Sequence, residues 1–119
     1  PKNIQLAHQQ LVTTYNDDLT ITVPTGTLAI PVTHPYVIKA LPVGNEALTL
    51  ADGLPGQVIV INLTTAGGGT GTLTPATCTG FATIAFLAAI DQAVLMYVDD
   101  TVGWIILGVS GADAPPVVA

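Results

Sequence analysis

Short runs of apolar residues, separated by turn-forming residues, recur along the chain between residues 46 and 108. The runs occupy residues 47–50, 57–63, 70–74, 82–86, 93–98 and 103–107. Glycine, proline, aspartate and threonine fill the gaps between them. Apolar runs of this length with turn residues at nearly every gap are typical of short β-strands. The pattern therefore predicts an all-β core.

Two of the runs are apolar at every position, namely residues 58–61 and 104–107. A strand with this pattern needs both of its faces covered. One sheet cannot shield itself in this way, so we expect a second sheet of the same chain and also a neighbouring subunit. The residues predicted to form the subunit interface are Val58, Val60, Ile105 and Leu107.

The first half of the chain predicts further strands. Residues 19–23 alternate apolar and threonine side chains and stop at Pro24, and residues 27–32 are expected to return as the hairpin partner. Pro31 makes that returning strand an edge strand, because proline cannot donate to a ladder. Residues 36–41 predict another strand, and the triple glycine at 67–69 predicts a hairpin loop with a bulge.

In the second half, residues 81–90 predict a strand to about Phe86 followed by a corner, and Asp99-Asp100 predict the turn between the last two core strands. The expected fold is a compact antiparallel β-sandwich or barrel of about seven to nine short strands. We predict an N-terminal arm at residues 1–16, a β-domain at 17–110 and an extended C-terminal tail at 111–119.

The arm carries scattered apolar residues that fit neither a helix nor a strand period for long. Two interpretations remain open: a terminus that frays, or an arm that becomes ordered only on a partner. The second predicts that partner contacts are made by Ile4, Leu6, Leu11 and Val12.

Composition favours assembly. The 119 residues are 50% hydrophobic and 8% charged, whereas an ordinary soluble domain carries about 25% charged residues. The net charge is −6, with two lysines and no arginine, which argues against nucleic acid and anionic membranes as partners. The longest apolar run, residues 81–90, is too short to cross a bilayer, so we expect a soluble protein made in the cytosol.

Candidate catalytic groups are few. Ser110 is the sole serine and lacks a nucleophile elbow. Cys78 cannot form an intrachain disulfide and has no cationic neighbour in sequence to lower its pKa, so an inert thiol is expected rather than a nucleophile paired with His8 or His34. The two histidines match no zinc spacing. We expect no enzyme activity and no cofactor.

Three further motifs have a structural and a functional interpretation. Asp17-Asp18 and Asp99-Asp100 suit turns better than calcium, which usually needs a longer acidic loop. The triple glycine suits a turn better than a phosphate loop, because no Gly-Lys-Ser/Thr follows. A sugar-binding groove could be lined by Tyr15, Tyr36, Tyr97 and Trp104. Tyr97 and Trp104 flank the Asp99-Asp100 turn, however, and core packing across a hairpin is favoured over a sugar-binding groove.

The core motifs resemble small β-domains of tailed-bacteriophage structural proteins. They are residues 48–50, Asp52-Gly53, residues 55–57, the glycine-rich loop 67–71, residues 72–75 and residues 103–108. With its acidic all-β composition and N-terminal arm, the chain is similar to capsid decoration (cement) proteins. This resemblance implies a homotrimer on the outer surface of the virion, made in the host cytoplasm and bound to the major capsid protein.

The leading hypothesis is thus a non-enzymatic decoration protein. The alternative is a trimeric head-fibre, tail-fibre or adhesin domain that binds host glycans through Tyr97, Trp104 or the loops. A third hypothesis, a small enzyme that uses Cys78 or an acidic pair, has the least support in the residues.

Overall fold

In the computed structural model, which describes residues 19–112 and 114–119, ten β-strands form two sheets of five strands each. The strands are β1 (Thr20–Val23), β2 (Ala29–Ile30), β3 (Tyr36–Leu41), β4 (Glu46–Leu50), β5 (Val58–Ala66), β6 (Gly71–Pro75), β7 (Ile84–Phe86), β8 (Gln92–Tyr97), β9 (Trp104–Ser110) and β10 (Val117–Val118). No helix occurs within the described ranges. The all-β prediction is confirmed. β1 to β9 lie close to the predicted runs, whereas β10 lies in the segment predicted as an extended tail and pairs with β7.

The order of strands is β1-β3-β5-β8-β9 in sheet A and β10-β7-β6-β4-β2 in sheet B. Successive strands from β1 to β6 therefore alternate between the sheets. β1, β3 and β5 pair in parallel in sheet A, as β2, β4 and β6 do in sheet B. The chain thus winds through three coils, and antiparallel pairings of β7 to β10 complete both sheets.

The predicted antiparallel sandwich is wrong for this coiled half, and residues 19–112 and 114–119 alone contain ten strands, against the prediction of about seven to nine. Residues 24–28 do not turn a hairpin; they carry the chain from β1 in sheet A to β2 in sheet B. The triple glycine likewise joins β5 to β6 across the sheets, so the predicted hairpin loop is wrong. Apolar alternation indicates that a strand has a buried face, but it does not say which sheet contains the next strand.

The core lies between the sheets and is filled by alternate residues of nearly every strand. β3, β5 and β8 bury every second side chain, as the alternation of their burial shows. Trp104 is the largest fully buried side chain, and its indole Nε1 donates to the Ala51 carbonyl at 2.9 Å. This bond ties the start of β9 in sheet A to the chain just after β4 in sheet B.

A buried ion pair joins the two sheets near the first coil. Lys39 on β3 is 1% exposed, and its Nζ lies 2.9 Å from Glu46 Oε1 on β4. The same ammonium donates to the carbonyls of Pro24 and Thr27, each at 2.8 Å. Glu46 Oε2 accepts from the Gly26 N–H at 2.6 Å. The ammonium therefore has two hydrogen-bond acceptors and a counter-charge, which a buried charge requires.

Close backbone contacts stack the corners of successive coils. Gly67 N–H donates to the Leu41 carbonyl and Gly69 N–H to the Pro42 carbonyl, both at 3.1 Å. A Cβ on Gly69 would overlap the Gly44 carbonyl oxygen. The glycines of the triple-glycine segment are thus needed for the approach of one coil corner to the next.

A second buried carboxylate shapes the corner between β7 and β8. Asp91 is 2% exposed, and its Oδ2 accepts from the N–H groups of Leu87 and Ala88 at 2.9 and 3.1 Å. Ile90 beside it has a positive φ of 75°, which a β-branched residue rarely adopts. The aspartate therefore holds a corner whose backbone is strained.

Replacing Lys39 with methionine should lower the free energy of unfolding by about 3–5 kcal/mol, because it leaves the Glu46 carboxylate buried without a counter-charge. Urea denaturation measures the change. The double variant Lys39→Met/Glu46→Leu should lose less than the sum of the two single variants. The exposed substitution Asp52→Asn serves as the control, with a change of about 0.5 kcal/mol or less. A strictly additive double variant would contradict the pairing.

Gly69→Ala should destabilise the fold by about 1–3 kcal/mol, because the added methyl group overlaps the backbone of the neighbouring coil corner. Gly44→Ala is the matched control, since a Cβ there meets nothing within 4 Å. Thermal unfolding of both variants checks the difference. Equal midpoints for the two would show that the corners can separate without cost.

Candidate interaction surface

The residues predicted as a subunit interface lie together on the outer face of sheet A. Val60 on β5 is the partner of Val94 on β8, and Val58 is the partner of Met96, which in turn faces Ile105 on β9. Leu107 is the extra residue at an irregularity of β9. The residue before it, Ile106, is opposite Leu95, and the residue after it, Gly108, is opposite Val94. The structure therefore places all four predicted residues on one continuous surface.

Four further apolar residues, which the sequence analysis did not assign to this surface, complete it. Tyr36 on β3 lies beside Val60, and Ile38 lies beside Asn62, whose side chain donates to Gln92. Val94 and Met96 supply the β8 row. The "outer A face" consists of Tyr36, Ile38, Val58, Val60, Val94, Met96, Ile105 and Leu107. The signal for the two β8 residues was present, since residues 93–98 are apolar throughout.

The side chains of the outer A face are partly exposed. Val58 is 39% exposed and Leu107 53% exposed, and the other six are half-buried. Their strand neighbours Ile59, Ile61 and Trp104 point inward and are fully buried. The prediction that a second sheet of the same chain covers one face of these strands is thus confirmed, and cover of the outer face by a neighbouring subunit stays a prediction.

Sheet B presents a different outer face. Its outward positions hold small side chains, chiefly Ala47, Thr49, Thr72, Thr74 and Ala85, in matched positions of neighbouring strands. Large apolar side chains are therefore concentrated on one of the two outer faces. A contiguous apolar surface of this kind marks an interaction site more often than scattered exposed residues do.

Exposed charge is found at one end of the sandwich. Among the described residues, Lys39, Glu46 and Asp91 are buried, and the exposed carboxylates are those of Asp52, Asp99 and Asp100. These three lie in the connections β4–β5 and β8–β9, which meet where the Gly56 N–H donates to the Tyr97 carbonyl at 2.8 Å. Within the described part of the chain, the outer A face carries no charged side chain.

The aspartates of the β8–β9 turn are used by the turn itself. Asp99 Oδ1 accepts from the N–H groups of Thr101 and Val102 at 2.9 and 2.8 Å, and Asp100 Oδ1 accepts from the Tyr97 hydroxyl at 2.7 Å. The predicted turn is confirmed for this pair. Asp17-Asp18 lies outside the described residues. No group of three or more His, Cys, Asp or Glu suited to a metal ion occurs in residues 19–112 or 114–119.

Tyr97 and Trp104 pack against each other inside the core. They are partners across the β8–β9 hairpin, with ring centroids 5.4 Å apart and an interplanar angle of 71°. Both residues are 0% exposed. The favoured prediction of core packing is confirmed, and neither ring can stack on a sugar.

The remaining candidate groups do not converge. The Cys78 thiol donates to the Phe81 carbonyl at 3.1 Å, and burial raises the pKa of this thiol, which disfavours the thiolate. His34 lies in the β2–β3 connection with its Nδ1 2.8 Å from the Thr33 hydroxyl. His8 and the arm residues Ile4, Leu6, Leu11 and Val12 lie outside the described residues.

Comparison with known proteins assigns no relative: neither a protein-family model nor a curated protein matches the chain. Across residues 19–112 and 114–119, no helix is long and apolar enough to span a membrane. The outer A face is therefore the feature of the described fold that bears most directly on function.

Ionisation of the Tyr97 hydroxyl should lower the stability of the folded protein at high pH. The hydrogen bond to the Asp100 carboxylate, then burial and the charges of Asp100, Asp52 and Asp99, raise the pKa of Tyr97 from 10.0 to about 12. The pKa of Tyr97 is higher in the folded protein than in the unfolded chain. The contribution of the protonated Tyr97 hydroxyl to the free energy of unfolding is therefore complete below pH 10.0 and is lost as pH rises toward 12. Urea midpoints at about pH 9 and about pH 11 measure the loss.

Tyr97→Phe is the control for this pH dependence. It removes the ionisable hydroxyl and retains the ring, so its stability should fall less between the two pH values than that of the wild-type protein. The same slope in both proteins would mean that other groups cause the decline.

Proposed function

We propose that this chain is a non-enzymatic structural protein of a virus particle, a decoration protein that binds the outer surface of the capsid as a homotrimer. In that role it stabilises contacts between major capsid proteins. The observation that supports the proposal is the outer A face, an uncharged apolar surface on the side of sheet A that faces away from sheet B. The trimeric state and the capsid as partner rest on the resemblance to decoration proteins.

Association through the outer A face would remove its apolar side chains from water. Burying a large apolar side chain contributes roughly 1.5–3 kcal/mol when it starts fully exposed. The eight side chains of the outer A face start partly exposed, so each would contribute a fraction of that value on association. Association also has an entropic cost of several kcal/mol. A surface of this size is therefore suited to an oligomer, provided that most of it is covered.

The distribution of charge is compatible with such an arrangement. The exposed carboxylates Asp52, Asp99 and Asp100 lie in the turns at one end of the sandwich, not on the outer A face. Subunits can therefore pack through this face without bringing these carboxylates into the contact. The acidic end would remain in water and keep the assembly soluble.

The arm remains the proposed contact with the capsid protein through Ile4, Leu6, Leu11 and Val12. Addition of the arm to a sheet edge of the capsid protein would use main-chain hydrogen bonds. A protein that binds the mature shell but not its immature form stabilises the mature shell by mass action. The proposal thus assigns assembly to the outer A face and attachment to the arm.

Val60→Asp should convert the oligomer into monomers, because a carboxylate in the middle of a subunit contact would be buried without a partner. Light scattering on a size-exclusion column measures the mass, and the association should weaken by about 100-fold or more, which corresponds to about 2.7 kcal/mol. Thr49→Asp, on the outer face of sheet B, is the matched control and should leave the oligomer intact. A monomeric wild-type protein at micromolar concentration would falsify this part of the proposal.

Attachment is tested separately by co-sedimentation with purified mature and immature shells of the virus that encodes the chain. The wild-type protein should pellet with mature shells, and Leu6→Asp should reduce pelleting while leaving the trimer intact. Absence of the protein from both pellets would rule out the decoration role even if the trimer forms.

A further inference from the structure

Among the described residues, the first coil has a neighbouring coil on one side only. β1 is the edge of sheet A and β2 is the edge of sheet B, so both strands of the first coil are edge strands. Within residues 19–112 and 114–119, no strand pairs with their outer sides. We call this side the open coil edge. An uncovered edge of this kind is a template for another strand.

The hydrogen-bond pattern identifies which backbone groups face the open coil edge. The Leu19 carbonyl accepts from Tyr36 N–H on β3, and the Leu28 carbonyl accepts from Thr49 N–H on β4. Since the backbone groups of a parallel strand alternate in direction, Ile21 points to β3 whereas Thr20 and Thr22 point outward. By the same rule, Ala29 points outward from β2.

The core is also incompletely covered at this side. Ile21 packs against the core yet is only half-buried, and Leu28 is 43% exposed. In the next coil, Val37 and Leu48 are 0% and 1% exposed. One more coil on the open coil edge would therefore cover both Ile21 and Leu28.

The chain itself contains a segment with the matching pattern. Ile4 and Leu6 have the same spacing as Ile21 and Val23, and Leu11 follows Leu6 at the distance at which Leu28 follows Val23. The offset is 17 residues for both parts, because 21 − 4 = 17 and 28 − 11 = 17. The established register offsets are 16 residues from β1 to β3, where Thr20 is opposite Tyr36, and 20 residues from β2 to β4, where Ala29 is opposite Thr49, so an offset of 17 lies between them. We propose that residues 4–12 of this same chain bind the open coil edge as one further coil.

The length of the connection agrees with binding in the same molecule. Ile30, the last residue of β2, corresponds to Thr13 at this offset, which leaves the six residues 14–19 before β1. The established connection from β2 to β3, residues 31–35, has five residues. Residues 4–12 contain no Lys, Arg, Asp or Glu, so no charge would be buried against Ile21 and Leu28.

Hydrogen exchange of the full-length protein, measured residue by residue by NMR, tests this proposal. The Thr22 and Ala29 amides point away from the established ladders, so they should exchange at the rate of an unstructured peptide if the edge is open. If residues 4–12 cover the edge, both amides should exchange at least about tenfold more slowly. The protection should not depend on protein concentration.

Matched variants separate the contact from general stability. Leu6→Asp places a carboxylate against the core and should abolish the protection of Thr22, whereas Gln5→Asp adds the same charge at the outward position and should preserve it. Thr22→Pro removes an outward N–H without removing a bond to β3, and it should speed exchange of residues 4–12 relative to Thr22→Ala. The β3 and β5 amides report whether each variant is folded.

Two results would overturn the proposal. The first is exchange of the wild-type Thr22 amide at the unstructured rate. The second is protection that appears only as concentration rises, because the covering strand would then come from a second copy. Both results are measured on the edge amides and not on the mass of the oligomer or on shell binding, so failure here is distinguishable from failure of the proposed function.

Discussion

The buried ion pair of Lys39 and Glu46 ties the first two coils of the fold together. The Lys39 Nζ donates to the carbonyls of Pro24 and Thr27 and lies 2.9 Å from Glu46 Oε1, which supplies the counter-charge that a buried ammonium requires. Those acceptors belong to β4 and to the β1–β2 corner, so the first two coils must lie in one register for the charge to be satisfied. A hydrophobic residue at this position would pack without fixing that register. Specificity of this kind is a known use of buried polar groups.

The same requirement for close stacking explains the glycine-rich corner. Gly69 lies against Gly44, and Gly67 donates to the Leu41 carbonyl, so the third coil approaches the second through backbone rather than side chains. If residues 4–12 cover the open coil edge, attachment of the same arm to a shell would have to displace them. Shell binding would then compete with an internal contact.

The sequence predicted the strands well because each apolar run needs a buried face, and residues 36–41 match β3 at both ends. It failed on topology, because a proline-glycine corner such as Pro24 to Gly26 suits a hairpin and a crossover between sheets equally well. The ion pair of Lys39 was also missed, since nothing local to this lysine indicates that it points inward. The outer A face was half predicted: the fully apolar runs gave Val58 and Ile105, but Tyr36 and Ile38 needed the order of strands.

The alternation of β1 to β6 between the sheets has a consequence for how such a domain could change in size. Each coil contributes one strand to each sheet, so duplication of a whole coil would widen both layers together by about 4.8 Å. The antiparallel segment from β7 to β10 would be carried along unchanged, with its Tyr97–Trp104 pair intact. A fold wound in this way can therefore grow by whole units along its winding axis, whereas a meander can extend one sheet without the other.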